Sequence, residues 1–220
     1  MLNPGRIAKW NADLRSLPPL GIVRWAISQA NGRAIVSTNF RPYEAVMLHL
    51  ATRVQPDIPV LWVDHGYSRP ATYRHAEQLR TLLGLNLKTY VPKMTAAQRD
   101  AIHGPIPTPA DEAALKEFSA AFKIEPFQRG MRELTPVVWL TALRKVQNAN
   151  RATLDIASPD PNFGTIRVSP VFYFSDADME AYLKLHDLPV EWDYFDPAKA
   201  DEQRECGLHT TWGRKVATKI

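Results

Sequence analysis

Cys206 is the only cysteine among 220 residues, and it stands in Arg204-Glu205-Cys206-Gly207-Leu208-His209, with charged residues before it and a glycine after it. A lone cysteine is most often a small buried hydrophobe, but that role needs apolar neighbours, which this segment does not supply. The other role is a reactive thiol. A thiolate is the nucleophile; Arg204 and a protonated His209 would favour it, and Glu205 would oppose it. Gly207 would let a substrate approach the backbone closely. A single cysteine forms no intramolecular disulfide, and it cannot build a four-thiolate zinc site or iron–sulfur cluster within one chain. A covalent intermediate on it would have to be cleared by a thiol from another molecule.

Three other groups carry chemistry by type and spacing. Ser37-Thr38-Asn39-Phe40 follows an apolar run and precedes a helical one, where hydroxyls and helix N–H groups can cradle an anion. The same residue types cap helices that bind nothing, and the P-loop signature is absent. In Asp64-His65-Gly66-Tyr67, Gly66 marks a turn, Asp64 either caps it or bonds a ribose or adenine group, and His65 is either a solvent-facing loop histidine or part of a site. Arg144-Lys145-Val146-Gln147 with Arg151 gathers three cations. Arginine's planar fork matches phosphate oxygens, and a solvated charge cluster is the competing explanation. Lys123 and Arg129, on either side of Glu125-Pro126, divide between the same two explanations.

The elements that must position these residues follow from hydrophobic patterning. AIVST after Arg33, IPVLWVD from Ile58 to Asp64, LNLKTYV, VVWLTAL up to Arg144 and TIRVSPVF read as strands. FRPYEAVMLHLATRV, ATYRHAEQLRTLLG with Gly84 as its stop, FQRGMREL despite Gly130, and SDADMEAYLKLHD with Ser175 and Asp178 in a capping-box pattern read as helices. Pro105, Pro107 and Pro109 punctuate a region between two short polar-faced helices, and NANRATLDIASPDPNFG reads as a polar loop. Strands alternating with helices predict one doubly wound, mostly parallel sheet with helices on both faces. Such sheets bind ligands at the carboxyl edges of their strands, which is where the loops above fall. The division expected is an α/β domain over 1–190 and a mobile tail over 191–220 that carries the cysteine.

Composition narrows the class. Hydrophobic residues at 45% and charged residues at 23% are those of a globular protein with a core. Neither the spanning run of about eighteen apolar residues nor a signal-peptide pattern is present, so the expected location is cytoplasmic and off the membrane. A net charge of +4 favours small anionic ligands over nucleic acid, for which there is no basic-aromatic stripe.

Taken together, STNF, PDIPVLWVDHGYSRPATYRHAEQL, LNLKTY, KIEPFQRGMREL, WLTALRKVQNANRA, VSPVFYFSDADMEAYLKLHDLP and ECGLH make the chain resemble the phosphoadenylyl-sulfate reductase family. That resemblance implies an adenine nucleotide alpha hydrolase-like fold and reduction of 3′-phosphoadenosine 5′-phosphosulfate to sulfite and adenosine 3′,5′-bisphosphate. It implies an S-sulfocysteine on Cys206, cleared by reduced thioredoxin or glutaredoxin, with Arg204 and His209 engaging the sulfate. Ser37, Thr38, Asn39 and Phe40 would hold the phosphosulfate, and Asp64 and Gly66 would line the nucleotide pocket. Arg144, Gln147 and Arg151 would face phosphate and ribose, with Lys123 and Arg129 adding positive charge. The extra cysteines of the related adenylyl-sulfate reductases are missing, which favours the branch with no iron–sulfur cluster, no bound cofactor and no metal. A homodimer is implied as well. The pattern departs from the family at Thr38, Asn39, Arg41 and Pro42 in a loop that is usually serine-rich, at His65 in place of threonine, at Ala71 in place of glutamate, and in a shortened span before ECGLH. Three alternatives stand beside it: a sulfonucleotide-binding or regulatory homologue without turnover, a related adenylyl-sulfate reductase, and an ATP pyrophosphatase-type enzyme on the same fold.

Overall fold

The apolar runs become the strands of one six-stranded sheet in the computed structural model, which describes residues 3–108 and 110–197. β1 (Ala34–Thr38), β2 (Pro59–Val63), β3 (Asn86–Tyr90), β4 (Val138–Leu140), β5 (Ala157–Pro159) and β6 (Ile166–Val168) lie in the order β3-β2-β1-β4-β6-β5. All neighbours are parallel except β5 and β6. Val36 pairs with Val60 on one side and Leu140 on the other, so β1 is the central strand from which the chain winds outward in both directions. The helices are α1 (Pro4–Leu14), α2 (Pro19–Gln29), α3 (Glu44–Val54), α4 (Pro70–Leu83), α5 (Ala96–His103), α6 (Glu112–Ser119), α7 (Glu125–Leu134), α8 (Ala149–Ala152) and α9 (Asp176–Leu185).

Alternation along the strands sorts the core into two faces. Ala34, Val36, Val60, Trp62, Leu140 and Val168 pack with α2, α3, α4 and α9. Ile35, Leu61, Val63, Tyr90 and Trp139 pack on the opposite face with Phe127 and Met131 of α7. Both faces are covered, which is why the strands read as continuous apolar runs.

The structure corrects the expected elements in three places. The first thirty residues, to which no element was assigned, form α1 and α2; Asn3 caps α1 by accepting from the Gly5 N–H at 2.9 Å, and Trp10 meets Trp25 edge-on at 5.2 Å. The stretch expected as a polar loop contains α8 and the antiparallel edge strand β5, whose Ala157 exchanges two hydrogen bonds, at 2.9 and 2.8 Å, with the Asn11 carboxamide. β4 and β6 are three residues each rather than the full apolar runs. The Thr141 N–H still reaches the Val168 carbonyl at 2.9 Å, but Pro170, which has no N–H, prevents the ladder from continuing.

Residues 191–196 form no regular element, yet this segment lies against the body. Trp192 meets Tyr43 edge-on at 5.3 Å, Asp193 pairs with Arg69, and Asp196 pairs with Lys123. The remainder of the expected tail, 198–220, lies outside the described residues, and Arg204, Cys206 and His209 lie there with it. Among the described residues no helix is long and apolar enough to cross a membrane.

Candidate active site

β1 and β4 are adjacent, but the chain goes on from β1 to β2 on one flank and from β4 to β5 and β6 on the other, so the loops after them part at their carboxyl ends. That switch point is the expected ligand crevice of an open parallel sheet. A cleft of about 700 Å³ opens there, walled by Asn39, Arg41 and Tyr43 after β1, by Thr141, Arg144, Gln147, Asn148 and Arg151 after β4, by Asp176 and Met179 of α9, and by Trp192, Tyr194, Phe195 and Asp196. Another depression, about 510 Å³ between α1 and the β5 edge, is more open, and its cation among the described residues, Arg15, is already paired with Asp155.

The loop after β1 is held from within. Ser37 accepts from Trp139 Nε1 at 2.8 Å, on the α7 face of the sheet. Thr38 Oγ1 donates to Glu44 Oε2 at 2.7 Å and accepts from the Phe40 N–H at 2.9 Å, and the Asn39 N–H donates to the same Glu44 oxygen at 2.6 Å. The hydroxyl and amide suited to an anion therefore already hold a carboxylate from the first turn of α3. Phe40 is fully buried and meets Trp62 edge-on at 5.0 Å. Its ring anchors the loop in the core and takes no part in the cleft wall. Phe40 and Tyr43 have φ of 53° and 73°, the left-handed region that non-glycine residues enter only when their surroundings hold them there.

The loop after β4 brings three of the expected residues together. Arg144 is 6% exposed; its Nη2 lies 2.6 Å from Asp176 Oδ1, its Nη1 donates to the Phe174 carbonyl at 3.3 Å, and its guanidinium lies over the Tyr43 ring at 5.3 Å. Burying a guanidinium requires such partners. A 3₁₀ turn, Lys145–Gln147, folds the Gln147 carboxamide back onto the Arg144 N–H at 2.9 Å, and Arg151 donates to that same carboxamide oxygen. Asn148 caps α8 by accepting from the Arg151 N–H at 2.9 Å. The result is a rigid cationic wall.

The β2 loop forms a neighbouring polar cluster. Asp64 Oδ1 accepts from the Gly66 N–H at 2.9 Å and from the Tyr73 hydroxyl at 2.7 Å, and burial, reinforced by Asp64, holds that hydroxyl well above the usual tyrosine range. Gly66 has φ of 78°, and a β-carbon there would lie 3.1 Å from Ala96 Cβ. His65 is buried rather than solvent-facing. Its Nδ1 accepts from the Tyr67 N–H at 3.1 Å, which puts the proton on Nε2, and burial pushes its pKa down to about 4. Lys123 lies on the π-helical turn Ala120–Ile124, is 2% exposed and pairs with Asp196; it stands behind the cleft wall, to which Asp196 contributes and Lys123 does not. Arg129 bonds Glu125 and the Val91 carbonyl, the latter at 2.6 Å, and lies over Tyr90 at the end of β3. Neither it nor Asp64 is part of the cleft wall.

Sequence reasoning did not assign Tyr43, Asn148, Trp192 or Tyr194 to a site, and it treated Arg41 only as a departure. The Asn148-Ala149-Asn150 run carried a capping signal. The aromatics carried none, because their places depend on how 191–196 returns to the sheet. Burial pushes the Tyr43 hydroxyl up to about 12, and its bond to Glu180 at 2.9 Å adds to this, so the ring serves as a neutral platform for Arg144.

A family model described as the phosphoadenosine phosphosulfate reductase domain matches residues 33–195. A phosphoadenosine 5′-phosphosulfate reductase of Synechococcus sp. is 33% identical over 222 residues, covering 90% of this chain and 95% of the relative. The protein of the same name in Escherichia coli is 32% identical over 225 residues, covering 92% and 91%. A crystal structure of phosphoadenylyl-sulfate reductase from Candida auris, a phosphate complex, superposes with a TM-score of 0.75 at 23% identity, covering 86% of this chain and 90% of that one.

Proposed function

The chain belongs to the phosphoadenosine phosphosulfate reductase family, enzymes that reduce a sulfonucleotide, and from that premise we propose that it converts 3′-phosphoadenosine 5′-phosphosulfate to sulfite and adenosine 3′,5′-bisphosphate through Cys206. The observation that carries this reading is the cleft at the β1/β4 switch point. Its wall presents Arg144, Gln147 and Arg151 as one hydrogen-bonded unit, in a chain whose only cysteine follows Asp196 by ten residues. Ten residues reach at most about 35 Å, enough to bring a thiol from the rim to the floor of such a cleft.

In this mechanism the Cys206 thiolate attacks the sulfate sulfur. The bond from sulfur to the bridging oxygen breaks, and its electron pair leaves on the 5′-phosphate. Arg144 and Arg151 meet the negative charge that builds on that phosphate, fixed in advance so that no reorganisation is needed in the transition state. Arg204 and His209 flank the thiol and engage the sulfate oxygens. The product on the enzyme is an S-sulfocysteine. A thiolate of reduced thioredoxin or glutaredoxin then attacks Cys206 Sγ and expels sulfite, leaving a mixed disulfide that the donor's second thiol resolves. The donor dithiol loses two electrons and sulfur gains two. With no second cysteine in the chain, the resolving thiol comes from the donor, and the same count supports the cluster-free branch.

Incubating the protein with 3′-phosphoadenosine 5′-phosphosulfate in the absence of a dithiol should leave a sulfonate adduct on the peptide containing Cys206, removed when reduced thioredoxin is added. A nucleotide that binds without ever producing the adduct would replace this reading with that of a binding homologue.

A further inference from the structure

We propose that Arg41 is an anion-binding residue of this cleft, its guanidinium taking a non-bridging oxygen of the nucleotide's phosphate or phosphosulfate. The assignment rests on the sulfonucleotide reading above and deepens it.

Among the described residues, three cations line the cleft. Arg144 is engaged by Asp176 and the Phe174 carbonyl, and Arg151 by the Gln147 carboxamide. Arg41 differs: it is half-buried in the cleft wall, and among the described residues its side chain makes no ion pair or hydrogen bond. A guanidinium held partly out of water without a partner is a cost that an oxyanion would offset, and its planar fork matches phosphate and sulfate geometry.

The neighbouring loop explains why the cation is needed at this position. In a loop of this kind the hydroxyl and backbone N–H groups would themselves take the anion. Here Thr38 Oγ1 and the Asn39 N–H are both occupied by Glu44 Oε2, at 2.7 and 2.6 Å. That carboxylate repels a second anion, so the incoming oxygens are directed to the Arg41 side. Residue 41 is also fixed in place: the buried Phe40 ring precedes it, and its carbonyl accepts from the Glu44 N–H at 3.1 Å.

The test is calorimetric titration of adenosine 5′-phosphate and adenosine 3′,5′-bisphosphate into the full chain, comparing wild type with Arg41→Gln and Arg41→Lys. Lys88→Gln, which removes one charge from the exposed end of the sheet at β3, is the charge control. Loss of a charge-assisted bond should weaken binding by about 10- to 100-fold in Arg41→Gln, with partial recovery in Arg41→Lys. Weakening of both nucleotides places the guanidinium at the 5′ end, and weakening of the bisphosphate alone places it on the 3′-phosphate. Equal affinities of Arg41→Gln and Lys88→Gln for both nucleotides would overturn the Arg41 assignment alone. If the wild-type chain bound neither nucleotide, the sulfonucleotide reading would fall and this assignment with it.

Discussion

His65 follows β2 with its ring buried and Nδ1 fixed as an acceptor by the Tyr67 N–H, so the folded protein holds it neutral down to a pKa of about 4 against an ordinary value near 6.5. Between those two values the unfolded chain binds the proton and the folded chain does not, so stability falls as pH drops from about 6.5 toward 4. Integrated over the window, the loss is roughly 3 kcal/mol. His75 and His49 are shifted the same way by burial and add to the same limb. The melting temperature should therefore decline between pH 7 and pH 5, and His65→Gln should flatten that slope; identical slopes in the two proteins would refute the assignment. A second residue-scale expectation concerns Lys123 and Asp196, both nearly fully buried. Lys123→Met removes the ion-pair partner of a buried carboxylate and should cost about 3–5 kcal/mol in urea unfolding, while Lys123→Met with Asp196→Leu should recover most of it. If the double variant were as unstable as the single one, the pair would not be what couples the 191–196 segment to the π-helical turn. The sequence offered Lys123 as a charge for a ligand or as a solvated cation, and its burial beside a carboxylate was not legible there. Nor was its partner, because the ion pair joins positions 73 apart across the fold.

At the scale of elements, Gly130 shows why a residue that weakens a helix can be required in one. α7 crosses β2 and β3 so closely that a β-carbon at 130 would lie 2.8 Å from Leu61 Cδ1 and 2.9 Å from Tyr90 Cε2. Gly130→Ala improves intrinsic helix propensity yet should destabilise the protein by about 1–3 kcal/mol, because α7 or the Tyr90 ring has to move. Chemical denaturation checks the sign, and a stabilised variant would contradict the close packing. The sequence showed the glycine only as a blemish in FQRGMREL. Elements fixed by local signals were legible: the α9 capping box between Ser175 and Asp178 forms as its spacing implies, and Gly84 ends α4 in a left-handed turn. Elements fixed from a distance were not. β5 takes its outer hydrogen bonds from Asn11, 146 positions earlier, and nothing in ASPD itself signals a strand.

At the scale of the molecule, alternation of apolar strands and amphipathic helices was enough to predict a doubly wound sheet, and the rule for such sheets places the site at the carboxyl edges. The strand order, with β1 between β2 and β4, then decides which loops share a cleft. This is why the cations after β4 meet the loop after β1 while Arg129, attached to the β3 side, does not line the cleft. It is also why Glu44 could not be foreseen. As a sequence, STNF reads either as an anion cradle or as an ordinary helix cap, and only the turn through the left-handed Phe40 and Tyr43 folds the helix's own carboxylate into it.

Under the proposed function, this fold presents a sulfonucleotide to a single nucleophilic cysteine. The most direct measurement is sulfite release from 3′-phosphoadenosine 5′-phosphosulfate with reduced thioredoxin, run beside adenosine 5′-phosphosulfate and beside Cys206→Ser. The expected result is thioredoxin-dependent sulfite from the 3′-phosphorylated substrate, falling by more than about a thousandfold in Cys206→Ser, with nucleotide affinity preserved. Sulfite at the wild-type rate from Cys206→Ser, or nucleotide binding with no sulfite from the wild-type chain, would contradict it.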